Sequence, residues 1–192
     1  MLFNRILYKH TDDRYVHLHK RSKIDSDKKY YLYQYSLQAF LIFFPLTPVY
    51  HLFLNPSPNS LMFYLGALIT LYGIYKEGIS DNDLEKFKKM KSEGLLKDKN
   101  ICDFGDWKYS RHPNIFFEVM TWTGIAMMAL HPSKGIYNLV PLFGPWMLYL
   151  IVKKLTLPLT EHCMKKKRPN WVQDIQGTNL LNPYWASATQ LD

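Results

Sequence analysis

Cysteine is scarce in this chain, with Cys102 and Cys163 the two in 192 residues. Neither has C-x-x-C spacing or a histidine at ligand distance in sequence, so no disulfide framework and no metal site are expected, and both read as free buried thiols. Internal repeats, heptad runs and Gly/Ser linkers are also missing, which excludes solenoid and coiled-coil architectures. The start, MLFNRILYKHTDDRY, is basic and partly apolar but lacks an apolar core of roughly 7 to 15 residues followed by small ones, so no cleaved secretory signal is expected there. Acids are in the minority, with Asp+Glu at 16 against Lys+Arg at 24 and a formal net charge of +8. That balance suits either nucleic acid or an anionic lipid surface.

Charge is nearly absent from four blocks, and this absence chooses between those partners. Residues 35–53, 60–75 and 135–152 contain no Lys, Arg, Asp or Glu, and residues 115–130 contain one, Glu118. Each block is 16 to 19 residues long, near the lower end of the roughly 17 to 25 that a helix needs to cross a bilayer core. Buried helices of a soluble bundle keep a polar stripe, whereas these blocks are apolar nearly all round. If all four cross, residues 1–34, 76–114 and 153–192 share one side and hold 8, 9 and 6 of the Lys and Arg, while the opposite side holds Lys134 alone. The asymmetry places both termini on the cytoplasmic or matrix side. Aromatic and basic residues are interleaved with apolar spans and not gathered on a soluble face, so membrane lipids are the expected partners and nucleic acid is not.

The expected fold is therefore all-α, a multi-pass transmembrane bundle of about four spanning helices. Residues 1–34 read as a basic and aromatic interfacial arm, 35–158 as the transmembrane domain with a polar loop over 77–114, and 159–192 as an extramembrane tail. Pro45 and Pro48 kink the first span, and Pro56 and Pro58 shape the turn before the second. The second helix runs on past the membrane, with Glu77, Asp81, Leu84 and Lys88 on one face, until Gly94 ends it. Pro113 restarts a helix at its favoured first position.

The stretch DFGDWKYSRHPNIFFE, residues 103–118, carries the candidate chemistry. Pro113 sets Arg111 and His112 just outside a helix N-terminus, where free N–H groups and the positive dipole end attract anions. Arg111 offers a bidentate fork for phosphate, and Trp107 and Tyr109 offer ring surface. Asn114, Glu118 and Trp122 share one helix face, and an ionisable Glu118 inside an apolar block marks a site or a buried partner. The alternative reading is that these basic residues anchor a spanning helix to headgroups, with Glu118 paired to Lys or Arg at surface depth.

GDWKYSRHPNIFFE resembles the hallmark of the steroid 5-alpha-reductase superfamily, in its uncharacterised multi-pass branch, which reads close to GLWRYSRHPNYFGE. GIYKEGISDNDLEKFK and LPLTEHCMKKKRPNWVQDIQGTNLLNP are similar to that family's helix end and closing segment. The resemblance implies a bundle whose C-terminal half holds NADPH and whose relatives reduce a double bond in a lipid-like enone. Carried over, Arg111, His112 and Asn114 would meet cofactor phosphates and ribose. Trp107, Tyr109 and Glu118 would line the same cavity, with Tyr109 and Glu118 the catalytic candidates, and Glu77, Asp81, Lys88 and Glu161 would complete its polar wall. Ile115 and Phe117 stand where the family pattern has Tyr and Gly, and Asp106 stands where it has an apolar residue. Family members also carry further spanning helices ahead of the point where this sequence starts. Two functions follow. One is an accessory or structural subunit of a larger membrane complex, such as a mitochondrial respiratory assembly, retaining a nucleotide or phospholipid-phosphate site. The other is an NADPH-dependent reductase of a steroid- or lipid-like substrate. Neither needs a metal. The inner mitochondrial membrane is the expected location, with the endoplasmic reticulum as the alternative, and other membrane-protein subunits are expected partners.

Overall fold

The structure is a computed structural model that describes residues 24, 26–54, 60–96, 99–168 and 170–184. Most of the expected interfacial arm, residues 1–23, lies outside the described residues. The described residues are mostly helical and contain no strand, so the chain is all-α. Among the described residues the α-helices are α1 Asp27–Phe43, α2 Thr47–Leu54, α3 Leu61–Ser92, α4 Pro113–Met128, α5 Phe143–Ile151, α6 Leu157–Lys167 and the short α7 Trp171–Asp174. Helix α1 begins inside the expected arm and runs into the first apolar block without a break.

Proline and glycine set the boundaries. The kink expected at Pro45 and Pro48 is a full break, with α1 and α2 inclined at 48°, because Pro45 has no N–H for the helix ladder. Ser60 caps α3, its hydroxyl accepting from the Phe63 N–H at 3.0 Å. Helix α3 is 32 residues long and ends before Gly94, whose φ of 79° continues the chain in the left-handed region. Pro113 opens α4 at its first turn.

The fourth apolar block departs from a single regular α-helix. It opens as a 3-10 segment, Pro132–Leu142, interrupted at Gly135, where φ is 57°, and becomes α-helical at Phe143. Pro141 and Pro145 remove two helix donors, which favours the tighter geometry ahead of α5. A π turn, Val152–Thr156, then joins α5 to α6. Its widening accommodates Pro158, which cannot donate to the carbonyl four residues back and would clash with it.

Among the described residues one helix, Gly135–Lys167, is long and apolar enough to cross a membrane. The bent pair of α1 and α2 is a second if counted together. Helix α4, with 16 residues, is short of the usual span, and the apolar part of α3 stops at Lys76. Apolar side chains nevertheless face outward along these helices. Leu32, Phe40 and Phe43 on α1 and Leu61, Leu68 and Leu71 on α3 are all more than half exposed.

The principal helix contact is between α3 and α4, and small residues make it. A Cβ on Gly66 would stand 2.5 Å from the Gly124 carbonyl and 2.7 Å from the Met128 nitrogen. One on Gly124 would stand 2.7 Å from both the Gly66 carbonyl and the Thr70 nitrogen. Gly73 meets Thr121 in the same way. Backbones this close leave no room for a methyl group, the packing expected where helices associate by van der Waals contact. The Thr70 and Thr121 hydroxyls return to their own helices, donating at 2.9 Å to the Gly66 and Phe117 carbonyls. Gly144 of α5 packs against Pro48 of α2 by the same device.

Gly124→Ala is expected to cost about 1 to 3 kcal/mol, because beside the Thr70 hydroxyl it meets the Gly66 carbonyl and the Thr70 nitrogen, backbone atoms that cannot step aside. Gly78→Ala, with open space around its Cβ, is expected to stabilise α3 by about 0.4 to 1 kcal/mol. Thermal unfolding of the two variants in detergent checks both signs.

Candidate functional site

Helix α3 runs past the start of α4, and the connecting loop folds back onto that overhang. Gly105 turns the loop at φ 50°, and a Cβ there would lie 2.5 Å from an Asp83 carboxylate oxygen, so only glycine fits. The 3-10 turn Gly105–Lys108 follows. It is pinned to α3 by the Trp107 indole N–H, which donates to the Ser80 carbonyl at 2.7 Å, and by a 2.7 Å ion pair between Lys76 and Asp106. Ser110 is fully buried: its hydroxyl donates to the Leu181 carbonyl at 2.7 Å and accepts from the His112 N–H at 3.2 Å. The Arg111 N–H donates to the Asn179 carbonyl at 2.8 Å, and the Asn179 N–H donates to the Tyr109 carbonyl at 2.8 Å. These bonds fix the Ser110–His112 turn against the segment that follows α7.

A cavity of about 360 Å³ lies where α3, this loop, the start of α4, α6 and α7 meet. Arg111, His112, Asn114, Lys88 and Trp107, all singled out from sequence, line it together. Lys167, Arg168 and Trp171 add further positive charge and a second indole, and Arg168 packs its guanidinium over the Trp171 ring at 5.4 Å. Leu84, Phe87, Ile101, Ile115 and Met164 supply an apolar side. No Asp or Glu is among the lining residues. The first turn of α4 contributes Asn114 and Ile115, so a helix N-terminus borders the cavity and adds to its positive field.

Glu161 reaches the cavity only through its partners. Both its oxygens accept from Arg111 Nη1, at 2.7 and 2.8 Å. The second edge of that guanidinium stays available, since Arg111 Nε is buried without a hydrogen-bond partner. His112 is 5% exposed, and its Nε2 stands 3.5 Å from Glu161 Oε1. That is an ion-pair distance if the ring is protonated, and Nε2 likewise has no hydrogen-bond partner.

The remaining acids gather elsewhere. Asn114 Nδ2 donates to Asp81 Oδ1 at 3.1 Å, which ties the cavity's edge to an acidic cluster of Asp81, Glu77 and Glu118. Glu77, Asp81 and Glu118 do not line the cavity. Burial first, then the charges of Glu118 and Asp81, push the Glu77 carboxyl from its ordinary 4.5 up to about 7. Tyr109 also stays outside, 44% exposed beneath the Lys108 ammonium at 5.6 Å. Among the described residues, no group of three or more His, Cys, Asp or Glu could hold a metal ion.

Sequence reasoning passed over Ser110, Asn179, Leu181 and Lys76, although these fix the site. Asp106 carried a signal: a carboxylate where the hallmark has an apolar residue calls for a cation, and Lys76 supplies it. The other departures have separate fates. Phe117 is fully buried, with Tyr72 and Tyr184 rings 6.4 and 6.1 Å away, while Ile115 lines the cavity.

An all-helical fold with a cationic cavity at a helix N-terminus is the class this geometry defines. A family model described as protein of unknown function (DUF1295) matches residues 1–173, so the chain belongs to that family, which is associated with steroid 5-alpha-reductase-like proteins. No curated protein and no solved structure matches the chain.

Glu77 holds its proton in the folded chain to a higher pH than in the unfolded chain, so folding binds a proton between about pH 4.5 and 7. This contribution to stability is present below 4.5 and lost as pH rises through about 7. Glu77→Gln is expected to flatten the fall of melting temperature over that window, and a pH series of thermal melts measures it.

Proposed function

We propose that this chain is an integral membrane protein that holds a phosphate-bearing ligand with a ring or apolar body, at the cytoplasmic or matrix face of a four-crossing helical bundle. We assign it as an accessory subunit of a larger membrane assembly. The four charge-poor blocks, the one-sided Lys and Arg and the outward-facing apolar side chains support the bundle. One observation carries the ligand reading: one cavity is lined by Lys88, Arg111, Lys167 and Arg168, and although Glu85 pairs with Lys88 and Glu161 with Arg111, neither acid nor any other is among the lining residues. Such an imbalance disfavours a neutral or cationic occupant and favours an anion. Arg111 Nε, buried and without a hydrogen-bond partner, is a donor suited to phosphate oxygens, His112 Nε2 faces Glu161 at 3.5 Å, and Trp107 and Trp171 offer faces to a base or an acyl chain.

NADPH and a phospholipid share this chemistry. Arg111 and His112 would meet the cofactor's phosphates, and the reduced nicotinamide, when bound, supplies a hydride. About 360 Å³ is near the lower end of ligand pockets, roughly 300 to 1,000 Å³, so a dinucleotide would leave one end outside while a phosphate with one ring or chain fits.

The reductase reading draws on the family's association with steroid 5-alpha-reductase-like proteins. It needs a proton donor beside the hydride acceptor, and the two candidates, Tyr109 and Glu118, stand outside the cavity lining. This position favours holding a ligand over turning one over.

The full chain in lipid nanodiscs, titrated separately with NADPH, inorganic phosphate and short-chain phosphatidic acid, is expected to show saturable tryptophan quenching. Arg111→Gln is expected to weaken it at least tenfold, the scale of a lost charge-assisted hydrogen bond. The strongest of the three responses identifies the ligand source, and a flat response to all three from folded protein defeats the binding reading. NADPH oxidation driven by an added enone would move the assignment to reductase. Extraction of the chain from membranes by alkaline carbonate would defeat the bundle.

A further inference from the structure

The segment after α7 is both a wall of the cavity and the fastening of its most polar turn. Gly177, at φ 79°, reverses the chain after α7, and residues 178–184 then run back across the Tyr109–His112 turn. Thr178 lines the cavity beside Ser110 and Arg111. Asn179 exchanges two 2.8 Å backbone bonds with Tyr109 and Arg111, and the Leu181 carbonyl accepts from the Ser110 hydroxyl at 2.7 Å. At its outer end the Tyr184 ring packs on Phe116 and Phe117, with centroids 6.0 and 6.1 Å apart. The Tyr184 hydroxyl shares a 2.7 Å hydrogen bond with that of Tyr72 on α3. These fastenings are graded: Ser110 is fully buried, whereas Tyr72 and Tyr184 are 46% and 50% exposed. Water competes for the outer bond and not for the inner ones, so the segment detaches most easily from its outer end.

We propose that residues 178–184 are a strap that peels from Tyr184 inward, hinged at Gly177, to admit ligand to the cavity, with the Tyr72–Tyr184 hydroxyl pair as its latch. One half of the latch, Tyr72, lies within the family match of residues 1–173, and the other, Tyr184, lies after it. The strap's purpose rests on the cavity being a ligand site, while its motion can be measured with no ligand present.

Cys102 lines the cavity, is 7% exposed and is a free thiol, so its alkylation reports opening. The full chain in nanodiscs is treated with N-ethylmaleimide, and the modified Cys102 peptide is followed by mass spectrometry in wild type, Tyr184→Phe and Tyr72→Phe. Both variants keep their rings and therefore the packing on Phe116 and Phe117. Labelling of Cys102 is expected to be about fivefold faster in each, with melting temperature nearly unchanged. An unchanged or slower Cys102 rate in both variants overturns the strap, since opening would then occur elsewhere. If NADPH binds, its association and dissociation rates are expected to rise together in Tyr184→Phe with little change in Kd, as a gate in front of an intact site requires. A change in Kd alone assigns Tyr184 to the packing of the site and also overturns the strap. Should neither NADPH nor phosphate bind, the ligand reading fails by itself and the labelling rates still decide the strap.

Discussion

The backbone-to-backbone approach of α3 and α4 is the constraint on which the rest depends. Gly66, Gly73 and Gly124 bring the two helices too close for any side chain between them, so their relative register is fixed by backbone and not by adjustable packing. That register decides where α4 begins along α3. Helix α3 is twice as long as α4, 32 residues against 16, and the surplus turns stand beyond Pro113 with their side chains free to meet other elements. Ser80, Asp81, Leu84, Phe87 and Lys88 all belong to this overhang. Trp107, Asn114 and the cavity are positioned against it. A shift of one turn between the helices would move the overhang about 5.4 Å and separate these partners.

A second consequence is the sorting of charge. The overhang presents Lys88 and Leu84 toward the cavity, and it presents Glu77 and Asp81 toward Glu118. Asn114 stands at the boundary, lining the cavity and donating to Asp81. Lys88 and the carboxylates of Asp81 and Glu77, seven and eleven residues away on one helix, thus end in separate environments. Lys88 meets a different carboxylate, that of Glu85, at 2.8 Å on the same helix. Glu161 engages a single nitrogen of Arg111, leaving Nε unused. A carboxylate in that position orients the guanidinium while consuming only part of its donor capacity.

Much of this was legible in the sequence, and what was not has a physical reason. The break at Pro45, the long α3 ended before Gly94 and the start of α4 at Pro113 follow from local rules about N–H groups and φ, which act within a few residues. The gathering of Arg111, His112, Asn114, Trp107 and Lys88 in one cavity was expected from the resemblance and from helix periodicity. The irregular fourth block was missed because an absence of charge measures polarity and says nothing of helical geometry, which Pro141, Pro145 and Pro158 decide. Tyr109 illustrates another limit. Its neighbours face the cavity, but the 3-10 turn before it rotates each residue by about a third of a circle, so a ring adjacent in sequence emerges at the surface. Ser110, Asn179 and Tyr184 were illegible because their partners are remote in the chain, as with Ser110 and Leu181, 71 positions apart.

The same geometry bears on the choice between holding a ligand and reducing one. Hydride transfer needs a donor ring, an acceptor carbon and a proton source within contact distance of one another. Here Asn114 lines the cationic cavity and donates to Asp81 of the carboxylate cluster, while Glu118, one turn further along α4, is not among the lining residues. Gly66, Gly73 and Gly124 resist a sliding of α3 against α4, because backbones already in contact can slide only by separating first. Phe117, which stands where the family hallmark has glycine, is fully buried between the helices with the Lys76 ammonium 5.3 Å above its ring. The contact between α3 and α4 that builds the cavity therefore also fixes the carboxylate cluster outside its lining.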